Sequence, residues 1–219
     1  MGEIGVYEAM RTLRAVRRLR PDPIPANVLE RVIEAATWAP TGGNAQPWRV
    51  VVVRDAAKKE RLGALYAQRW RAYSEQHRRL IADAASAVKE TAARMLRSGD
   101  HLASHFAATP VVLVFCFNPK NMAITDAGQG RPSVVGGASV YPAVQNLLLA
   151  CRAEGLGCVL TTLLCEVEPE VRALLGIPDP WYTAAAVPIG YPLLRGHGLL
   201  SRRPVDKMAF ADRWGAPLR

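Results

Sequence analysis

The sequence lacks several features by which whole classes of protein are recognised. Its four cysteines include no Cys-x-x-Cys pair, so buried reduced thiols are favoured over a disulfide framework or a zinc site. The most apolar stretch, around residues 147–151, is far shorter than the roughly 20 apolar residues that span a bilayer. The first residues contain no continuous apolar region of a secretory signal. We therefore expect a soluble, cytoplasmic protein with no membrane partner.

The common nucleotide-site and hydrolase motifs are also missing. There is no P-loop, no GxSxG and no HExxH. The glycines of residues 128–132 follow no predicted strand and lack the third glycine of a dinucleotide fingerprint. His101 and His105 are four residues apart in a predicted helix, a spacing that would allow a shared metal ion. A metal site there is the less favoured interpretation.

Acidic residues are scarcer than basic ones, 19 against 28, which gives a formal net charge of +9. Such an excess is compatible with nucleic-acid binding. However, the basic residues are spread over the N-terminus, residues 58–97 and the C-terminus, and no aromatic-interleaved RNA motif or recognition-helix pattern accompanies them. Binding of a phosphorylated small molecule accounts for part of the excess equally well. We expect no nucleic-acid partner.

The sequence does contain a regular series of amphipathic and β-branched segments. Half of its residues are hydrophobic, enough for a packed core. The patterns predict helices over residues 3–18, 27–39, 138–154 and 169–175. Asn27 is the candidate N-cap of the second helix. They predict strands over residues 48–53, 111–115, 157–163 and 183–189. Residues 57–107 are charge-rich and mostly helical, with a predicted break at residues 98–100, and we expect them to contribute little to the core. No linker or internal repeat divides this unit of mixed helices and strands.

Two arginine clusters are candidate binding elements. Arg14, Arg17 and Arg18 lie towards the end of the first predicted helix, and Arg202 and Arg203 lie near the C-terminus. The guanidinium group is permanently charged and gives paired hydrogen bonds, so two such clusters suit a phosphate dianion. Solvated surface charge is the alternative, which composition alone favours.

The loop between the second helix and the first strand is a further candidate. It reads Pro-Thr-Gly-Gly-Asn-Ala-Gln over residues 40–46. The two glycines allow the backbone to approach a flat ligand, and the side chains of Asn44 and Gln46 offer amide donors and acceptors. An ordinary helix-to-strand turn is the alternative.

Several blocks of the sequence resemble the nitroreductase family. Residues 14–21 read Arg-Ala-Val-Arg-Arg-Leu-Arg-Pro, and residues 39–48 read Ala-Pro-Thr-Gly-Gly-Asn-Ala-Gln-Pro-Trp. The later blocks are Gln145–Ala150, Gly155–Gly157, Ile189–Pro192, Arg202–Pro204 and Arg213–Gly215. They occur in the family's order and spacing across nearly the whole chain. Residues 57–107 match least.

This resemblance implies an α+β, nitroreductase-like fold with a central mixed or antiparallel sheet flanked by helices. It implies a single domain over residues 1–219 and an intertwined homodimer with one FMN at each of two interface sites. Residues 57–107 would form a helical excursion and possible lid, and residues 195–219 a C-terminal extension.

The resemblance also implies the FMN contacts. Arg14 and Arg17 would reach the phosphate or the pyrimidine edge of the flavin, and Arg202 or Arg203 would complete the phosphate site. Ala15 stands where the family usually has serine, so one hydroxyl contact is lost. The partner chain would contribute Pro40, Thr41, Gly42 and Asn44. The segment whose backbone N–H reaches flavin N5 would be Thr162, Leu163 and Leu164.

The implied function is an FMN-dependent oxidoreductase with NAD(P)H as co-substrate. NAD(P)H would reduce the flavin and leave, and a small electron acceptor such as a nitro compound or a quinone would then take its place, in a ping-pong cycle. No catalytic side chain is assigned, because the cofactor carries the redox chemistry. Two alternatives stay open. One is a specialised family member that fragments flavin or removes halogen reductively, and the other is a nucleic-acid-binding or regulatory module that has lost the flavin.

Overall fold

In the computed structural model, the described residues are 4–82, 85–194 and 196–218. They form the six α-helices α1 (Val6–Thr12), α2 (Ala26–Thr37), α3 (Ala56–Leu80), α4 (Ser86–His105), α5 (Tyr141–Ala153) and α6 (Glu168–Leu175). They also form the four strands β1 (Trp48–Val53), β2 (Val111–Phe117), β3 (Gly157–Cys158) and β4 (Tyr182–Gly190). The strands lie in the order β1-β2-β4-β3, and every neighbouring pair is antiparallel. This is the predicted α+β architecture, with the antiparallel form of the sheet.

Strand β2 lies inside the sheet and is buried on both faces. Side chains alternate between the faces of a strand. Val111, Leu113 and Phe115 therefore belong to one core, while Val112 and Val114 belong to a second core on the opposite face. The sheet thus separates two hydrophobic layers, and a continuous β-branched and aromatic run supplies side chains to both.

Helices α2 and α5 cover the first face. Their apolar stripes supply the buried side chains Leu29, Val32, Ala36, Val144, Leu147 and Cys151. The side-chain amide of Asn146 donates to the carbonyl oxygen of Ala35 at 3.2 Å, which ties the two helices together. The prediction that Asn27 caps α2 is wrong. The helix begins at Ala26, because Pro25 ends the extended segment, and the Asn27 side chain accepts from the neighbouring N–H of Val28 instead.

Helices α3 and α4 cover the second face, and here the expectation of little core is wrong. Their charged residues lie outward, while inward-facing side chains of this region are buried: Leu62, Tyr66, Trp70, Leu96, Leu102 and Phe106. The predicted break at residues 98–100 is also wrong, because α4 continues through them. Gly99 has a packing role there, since a Cβ at this position would lie only 2.0 Å from the indole Cζ2 of Trp70.

The predicted helix over residues 3–18 stops at Thr12, and its C-terminal third is wrong. Beyond α1 the chain is extended and bonds to the sheet edge. The N–H of Val16 donates to the carbonyl of Cys158 at 2.9 Å, and that of Arg20 to the carbonyl of Tyr191 at 2.8 Å. These partners replace the intrahelical bonds that the apolar spacing suggested. Glu3 lies outside the described residues.

Two other boundaries differ from the sequence prediction. The strand expected over residues 157–163 is confined to β3, after which Thr161 forms an isolated bridge to Ala186 and a 3-10 turn follows over Leu163–Val167. Helix α5 starts at Tyr141, after a short 3-10 turn, rather than at residue 138. No helix in the described part of the chain combines the length and the apolar character needed to cross a membrane.

Candidate functional site

The extended segment after α1 places Arg17 in the lining of a cavity. Val16 is buried, and its backbone is bonded to β3. The neighbouring Arg17 is half-buried and lines a cavity of about 210 Å³. Thr162 and Leu163, which follow β3 in the chain, line the same cavity. Three of the residues assigned to flavin binding therefore meet in one place, although they come from opposite halves of the sequence.

An aromatic wall also lines this cavity, and it was not predicted from the sequence. Tyr66, Trp70 and Tyr73 of α3 line it. Residues with these spacings share one face of a helix, and the series continues to His77. The Trp70 and Tyr73 ring centroids are 5.5 Å apart, and those of Tyr73 and His77 are 5.4 Å apart. This regular aromatic spacing was the available signal, and the high charge of α3 obscured it.

The environment of Arg17 favours an electron-rich ligand. Burial lowers the pKa of its guanidinium below the ordinary value, and the nearby Tyr66 and Tyr73 hydroxyls oppose this shift only in part. Among the described residues, no carboxylate forms an ion pair with Arg17. A partly desolvated cation without a counter-charge is costly. A carbonyl oxygen or an anion placed in the cavity would relieve that cost.

Two residues of the segment Thr162–Leu164, Thr162 and Leu163, line the same cavity and have free or weakly bonded backbone N–H groups among the described residues. Thr161 exchanges two backbone bonds with Ala186, at 2.9 and 2.8 Å, which fixes the chain just before the segment. Within the described residues, the Thr162 N–H has no hydrogen-bond acceptor. The Leu163 N–H makes only a long contact of 3.4 Å to the Thr161 hydroxyl. The Leu164 side chain is buried in the second core and so anchors the segment to that core.

The N-terminal arginine cluster lies beside the start of the C-terminal tail. The Gly198 N–H donates to the carbonyl of Thr12 at 3.1 Å. A Cβ on Gly198 would lie 3.7 Å from the Arg14 guanidinium, so the two segments are in close contact. Ala15 forms a parallel bridge to Cys158 through its backbone, and its side chain is exposed. A serine in its place would present its hydroxyl to the outside.

Arg202 and Arg203 lie further along the tail. Both are exposed, and neither lines the Arg17 cavity. Arg202 donates to the carbonyl oxygen of Ser201 at 2.9 Å. In the part of the chain that the structure describes, no carboxylate forms an ion pair with Arg14, Arg202 or Arg203. Their charges are therefore not neutralised within the described chain.

The loop over residues 40–46 is held in an unusual backbone conformation. Gly43, Asn44 and Gln46 have positive φ angles of 58°, 54° and 45°, a region that glycine and asparagine tolerate far better than glutamine. The Gln46 N–H donates to the Thr41 hydroxyl at 3.1 Å, and the Gly42 N–H donates to the Ser139 hydroxyl at 3.1 Å. The first bond closes the loop on itself, and the second ties it to the segment that precedes α5.

The same loop does not line the Arg17 cavity of its own chain. Its assigned flavin contacts Pro40, Gly42 and Asn44 are exposed, and Thr41 is half-buried. The residues assigned to flavin binding therefore do not form one site within the described chain. Arg17, Thr162 and Leu163 share a cavity, whereas the loop residues and the pair Arg202 and Arg203 do not line it.

The histidine pair of α4 contacts the arginine cluster. The Arg18 guanidinium lies 3.2 Å from His101 Nδ1, and the His101 and His105 rings stack with centroids 4.1 Å apart. Burial, His105 and Arg18 all lower the pKa of His101, so its neutral form is favoured. The described residues contain no cluster of three or more histidine, cysteine or carboxylate side chains able to hold a metal ion. Of the two histidines, His101 is the one that contacts Arg18.

Comparison with known proteins places this fold and these motifs in a family. The family model described as Nitroreductase family matches residues 10–191. An NADH dehydrogenase of Thermus thermophilus is 34% identical over 189 residues, covering 84% of this chain and 85% of that protein. A 5,6-dimethylbenzimidazole synthase of Rhodobacter capsulatus is 32% identical over 186 residues, covering 84% and 82%.

A solved structure gives the same result at the level of the fold. Oxidized iodotyrosine deiodinase bound to FMN and 3-iodo-L-tyrosine superposes with a TM-score of 0.68 at 24% sequence identity, covering 91% of this chain and 96% of that one. The ordered sequence motifs, the antiparallel sheet between two helical layers and these matches lead to one conclusion. The chain belongs to the nitroreductase family of oxidoreductases.

Proposed function

We propose that the protein is an FMN-dependent oxidoreductase that uses NAD(P)H to reduce a small, electron-poor acceptor in a ping-pong cycle. One observation supports this above all. The cationic Arg17 shares a cavity with Thr162, and within the described residues Arg17 has no carboxylate partner and the Thr162 N–H has no acceptor. A positive group and a fixed N–H donor around one small cavity are suited to a heterocycle that gains negative charge on reduction.

The residues present fit FMN. Bound FMN would supply the two-electron redox chemistry at this place. Arg17 would hold the pyrimidine edge and stabilise the negative charge of the reduced state, and the Thr162 N–H would donate to N5. Arg14, with Arg202 or Arg203, would hold the phosphate by charge-assisted bonds. The side chains of Tyr66, Trp70 and Tyr73 would exclude water from the arginine and keep its charge effective.

The proposed assembly is an intertwined homodimer. Because the 40–46 loop does not line the Arg17 cavity of its own chain, a partner's loop would complete each site. A groove of about 470 Å³ between α1, α2 and α5 contains Trp38, whose surface is 71% exposed. In the tail, Leu199 is 70% and Trp214 91% exposed. These exposed apolar side chains are the candidates for contact with the partner.

The domain organisation is part of the same proposal. Residues 1–219 form one domain, in which residues 57–107 act as a lid and residues 195–219 extend onto the partner. The contribution of Tyr66, Trp70 and Tyr73 to the cavity supports the lid, because it links this region to the site itself. A cytoplasmic location and the lack of a nucleic-acid partner stay predictions.

The function is tested on the purified protein. Heat-released cofactor should co-elute with FMN and not with FAD in chromatography. Anaerobic addition of NADH or NADPH should bleach the flavin absorbance, and double-reciprocal plots at several acceptor concentrations should be parallel. Intersecting lines would show that donor and acceptor bind together. Absence of any flavin after reconstitution would reject the proposal.

The shared site is tested by mixing two inactive variants. One carries Arg14→Ala with Arg17→Ala, and the other carries Gly43→Val with Asn44→Asp. After joint unfolding and refolding, about half of the dimers should be mixed, and each mixed dimer has one intact composite site, so activity returns to roughly a quarter of wild type. No return of activity, with mixed dimers verified by differential tags, would place both elements in one chain.

Flavin fragmentation is a second candidate, favoured by the 32% identity to a 5,6-dimethylbenzimidazole synthase. It predicts that the protein, given reduced FMN and oxygen, produces 5,6-dimethylbenzimidazole detectable by mass spectrometry. Reductive removal of halogen is tested in the same way with 3-iodo-L-tyrosine, through release of iodide. Turnover of a quinone or nitro compound without either product supports the main proposal.

A further inference from the structure

Gln46 has the least expected backbone conformation in the 40–46 loop. Its φ angle is 45°, in the left-handed region that glycine adopts freely, that asparagine tolerates and that a long side chain such as glutamine rarely enters. Such a conformation costs free energy and persists only where the surrounding structure holds it. Residues of this kind are concentrated at binding sites, so the conformation of Gln46 indicates a functional role.

Hydrogen bonds on both sides hold the Gln46 backbone in this conformation. Its N–H donates to the Thr41 hydroxyl at 3.1 Å, and its carbonyl oxygen accepts from Arg49 Nη1 at 3.1 Å. The same Arg49 nitrogen donates to the carbonyl of Trp48 at 2.7 Å, and the guanidinium lies over the Trp181 ring, 5.2 Å from its centroid. Among the described residues, no carboxylate forms an ion pair with Arg49. The guanidinium therefore serves to hold the loop.

The Gln46 side chain in turn fixes the orientation of the Asn44 amide. Gln46 Nε2 lies 3.4 Å from the backbone carbonyl oxygen of Asn44 and 3.2 Å from Asn44 Oδ1. The amide nitrogen can only donate to these two oxygens, so the Asn44 side chain must turn its oxygen towards Gln46. The Nδ2 group, with its two N–H donors, then lies at the opposite end of the amide. Within the described residues it donates to no acceptor.

An exposed amide gains little from being held in one orientation. Asn44 and Gln46 are both exposed, and water would satisfy the Asn44 amide in any rotamer. Holding the two side chains together costs conformational entropy. That cost is useful where a ligand needs a donor at a fixed place, because less entropy is then lost on binding. The open surface beside the loop leaves room for such a ligand, since a Cβ on Gly43 would have no neighbour within 4 Å.

We propose that Gln46 is a positioning residue of the flavin site. It directs the Nδ2 donor of Asn44 towards an oxygen acceptor of the FMN that the partner holds, and it does not itself contact FMN. The inference rests on the proposed function, in which the 40–46 loop completes the partner's site. Because Gln46 acts through Asn44, it should contribute to FMN affinity only while the Asn44 side chain is present.

The test is a double-variant cycle in which the Kd of FMN is measured by fluorescence titration of the apoprotein. Gln46→Met keeps the length of the side chain and removes its donor, and it should raise the Kd about two- to tenfold. Asn44→Ala should raise the Kd by at least as much. Adding Gln46→Met to Asn44→Ala should change nothing further, whereas adding it to Arg17→Ala should multiply the two effects, because Arg17 is a separate contact.

Two further variants separate positioning from damage. Gln46→Gly removes the side chain and also the backbone strain, since glycine adopts a positive φ readily. It should be at least as stable in thermal unfolding as Gln46→Met and yet bind FMN as weakly. Gln68→Met makes the same chemical change at an exposed residue that does not line the Arg17 cavity, and it should leave the Kd at the wild-type value.

Three results would overturn the inference. Gln46→Met could bind FMN as tightly as wild type, it could weaken binding by the same factor with and without the Asn44 side chain, or Gln46→Gly could restore the wild-type Kd. The first and third results would show that the Gln46 side chain is not needed, and the second would show that it acts independently of Asn44. Failure of the wild-type apoprotein to bind FMN would instead overturn the proposed function.

Discussion

The two faces of the sheet are covered by helices of different character. On the first face, α2 and α5 pack aliphatic stripes against Leu113 and Phe115, and α5 contains a single charged residue, Arg152. On the second face, α3 is rich in charge, yet it buries Leu62, Tyr66 and Trp70. Burial is therefore decided by how residues are arranged around a helix, and not by how polar the helix is as a whole.

The second face also carries the candidate site. Tyr66 and Trp70 belong to its core and line the Arg17 cavity at the same time. In contrast, no residue of α2 or α5 lines this cavity, and the first core reaches it only through the half-buried Leu160. We therefore expect substitutions in the core of the second face to change both the stability and the FMN affinity. Substitutions in the core of the first face should change the stability and leave the FMN affinity nearly unchanged. The four predictions that follow test this difference.

The largest effect should come from the first face. Leu147 is fully buried, so Leu147→Ala should lower the free energy of unfolding by about 2–5 kcal/mol. Denaturant unfolding followed by circular dichroism measures this. Leu80→Ala makes the same change at a side chain that is 72% exposed and should cost at most about 0.5 kcal/mol. FMN affinity should change little in folded Leu147→Ala, and a large loss there would contradict the independence of this face.

Arg17→Ala should act on ligand binding instead. A charge-assisted contact contributes about 1.5–3 kcal/mol, so FMN affinity should fall about ten- to a hundredfold. Fluorescence titration of the apoprotein with FMN measures this. Arg54→Ala removes an exposed arginine that does not line the cavity and should have no effect. The double variant Arg202→Ala with Arg203→Ala should weaken FMN binding similarly. Unchanged affinity in both sets would identify these arginines as solvated surface charge.

Gly99→Ala should reveal the coupling on the second face. The added Cβ would meet the Trp70 indole at 2.0 Å, and overpacking of this kind costs about 1–3 kcal/mol. Displaced Trp70 should also disturb the cavity, so stability and FMN affinity should fall together. In Gly99→Ala with Trp70→Leu the clash is absent, and the two changes should be less than additive in unfolding free energy. Strict additivity would argue against a direct contact.

The smallest effect should come from the outer edge of the same face. Arg78 binds both carboxylate oxygens of Asp100, at 3.1 and 3.0 Å, but both side chains are nearly half exposed. Exposed ion pairs contribute about 0–1 kcal/mol, so Arg78→Ala should shift the denaturation midpoint only slightly. The difference from wild type should shrink further in high salt. A loss of unfolding free energy comparable to that of Gly99→Ala would mean that the ion pair helps to hold Trp70 in the aromatic wall.

Local sequence patterns predicted the elements whose apolar residues recur at the spacing of a helix or form a β-branched run. Strand β1 has the predicted bounds, because a β-branched run favours a strand and needs little context. The helix over residues 3–18 failed beyond Thr12, because the bonds of Val16 and Arg20 go to Cys158 and Tyr191, which no local pattern reveals. The spacing of Tyr66, Trp70 and Tyr73 was visible in the sequence, but no local pattern shows that this face of α3 meets Arg17.

The family and most of the elements could be predicted from the amino-acid sequence alone, since ordered motifs and hydrophobic periodicity are properties of short segments. Through the family resemblance, the sequence also predicted that Arg17, Thr162 and Leu163 bind the flavin, and this stays a prediction. The folded structure was needed to show that these three residues share one cavity and that the 40–46 loop does not line it. It was also needed to show that Thr162 lines a second, mainly apolar cavity. Such facts depend on contacts between segments far apart in the chain, which packing and backbone bonds to the sheet edge fix only once the chain has folded.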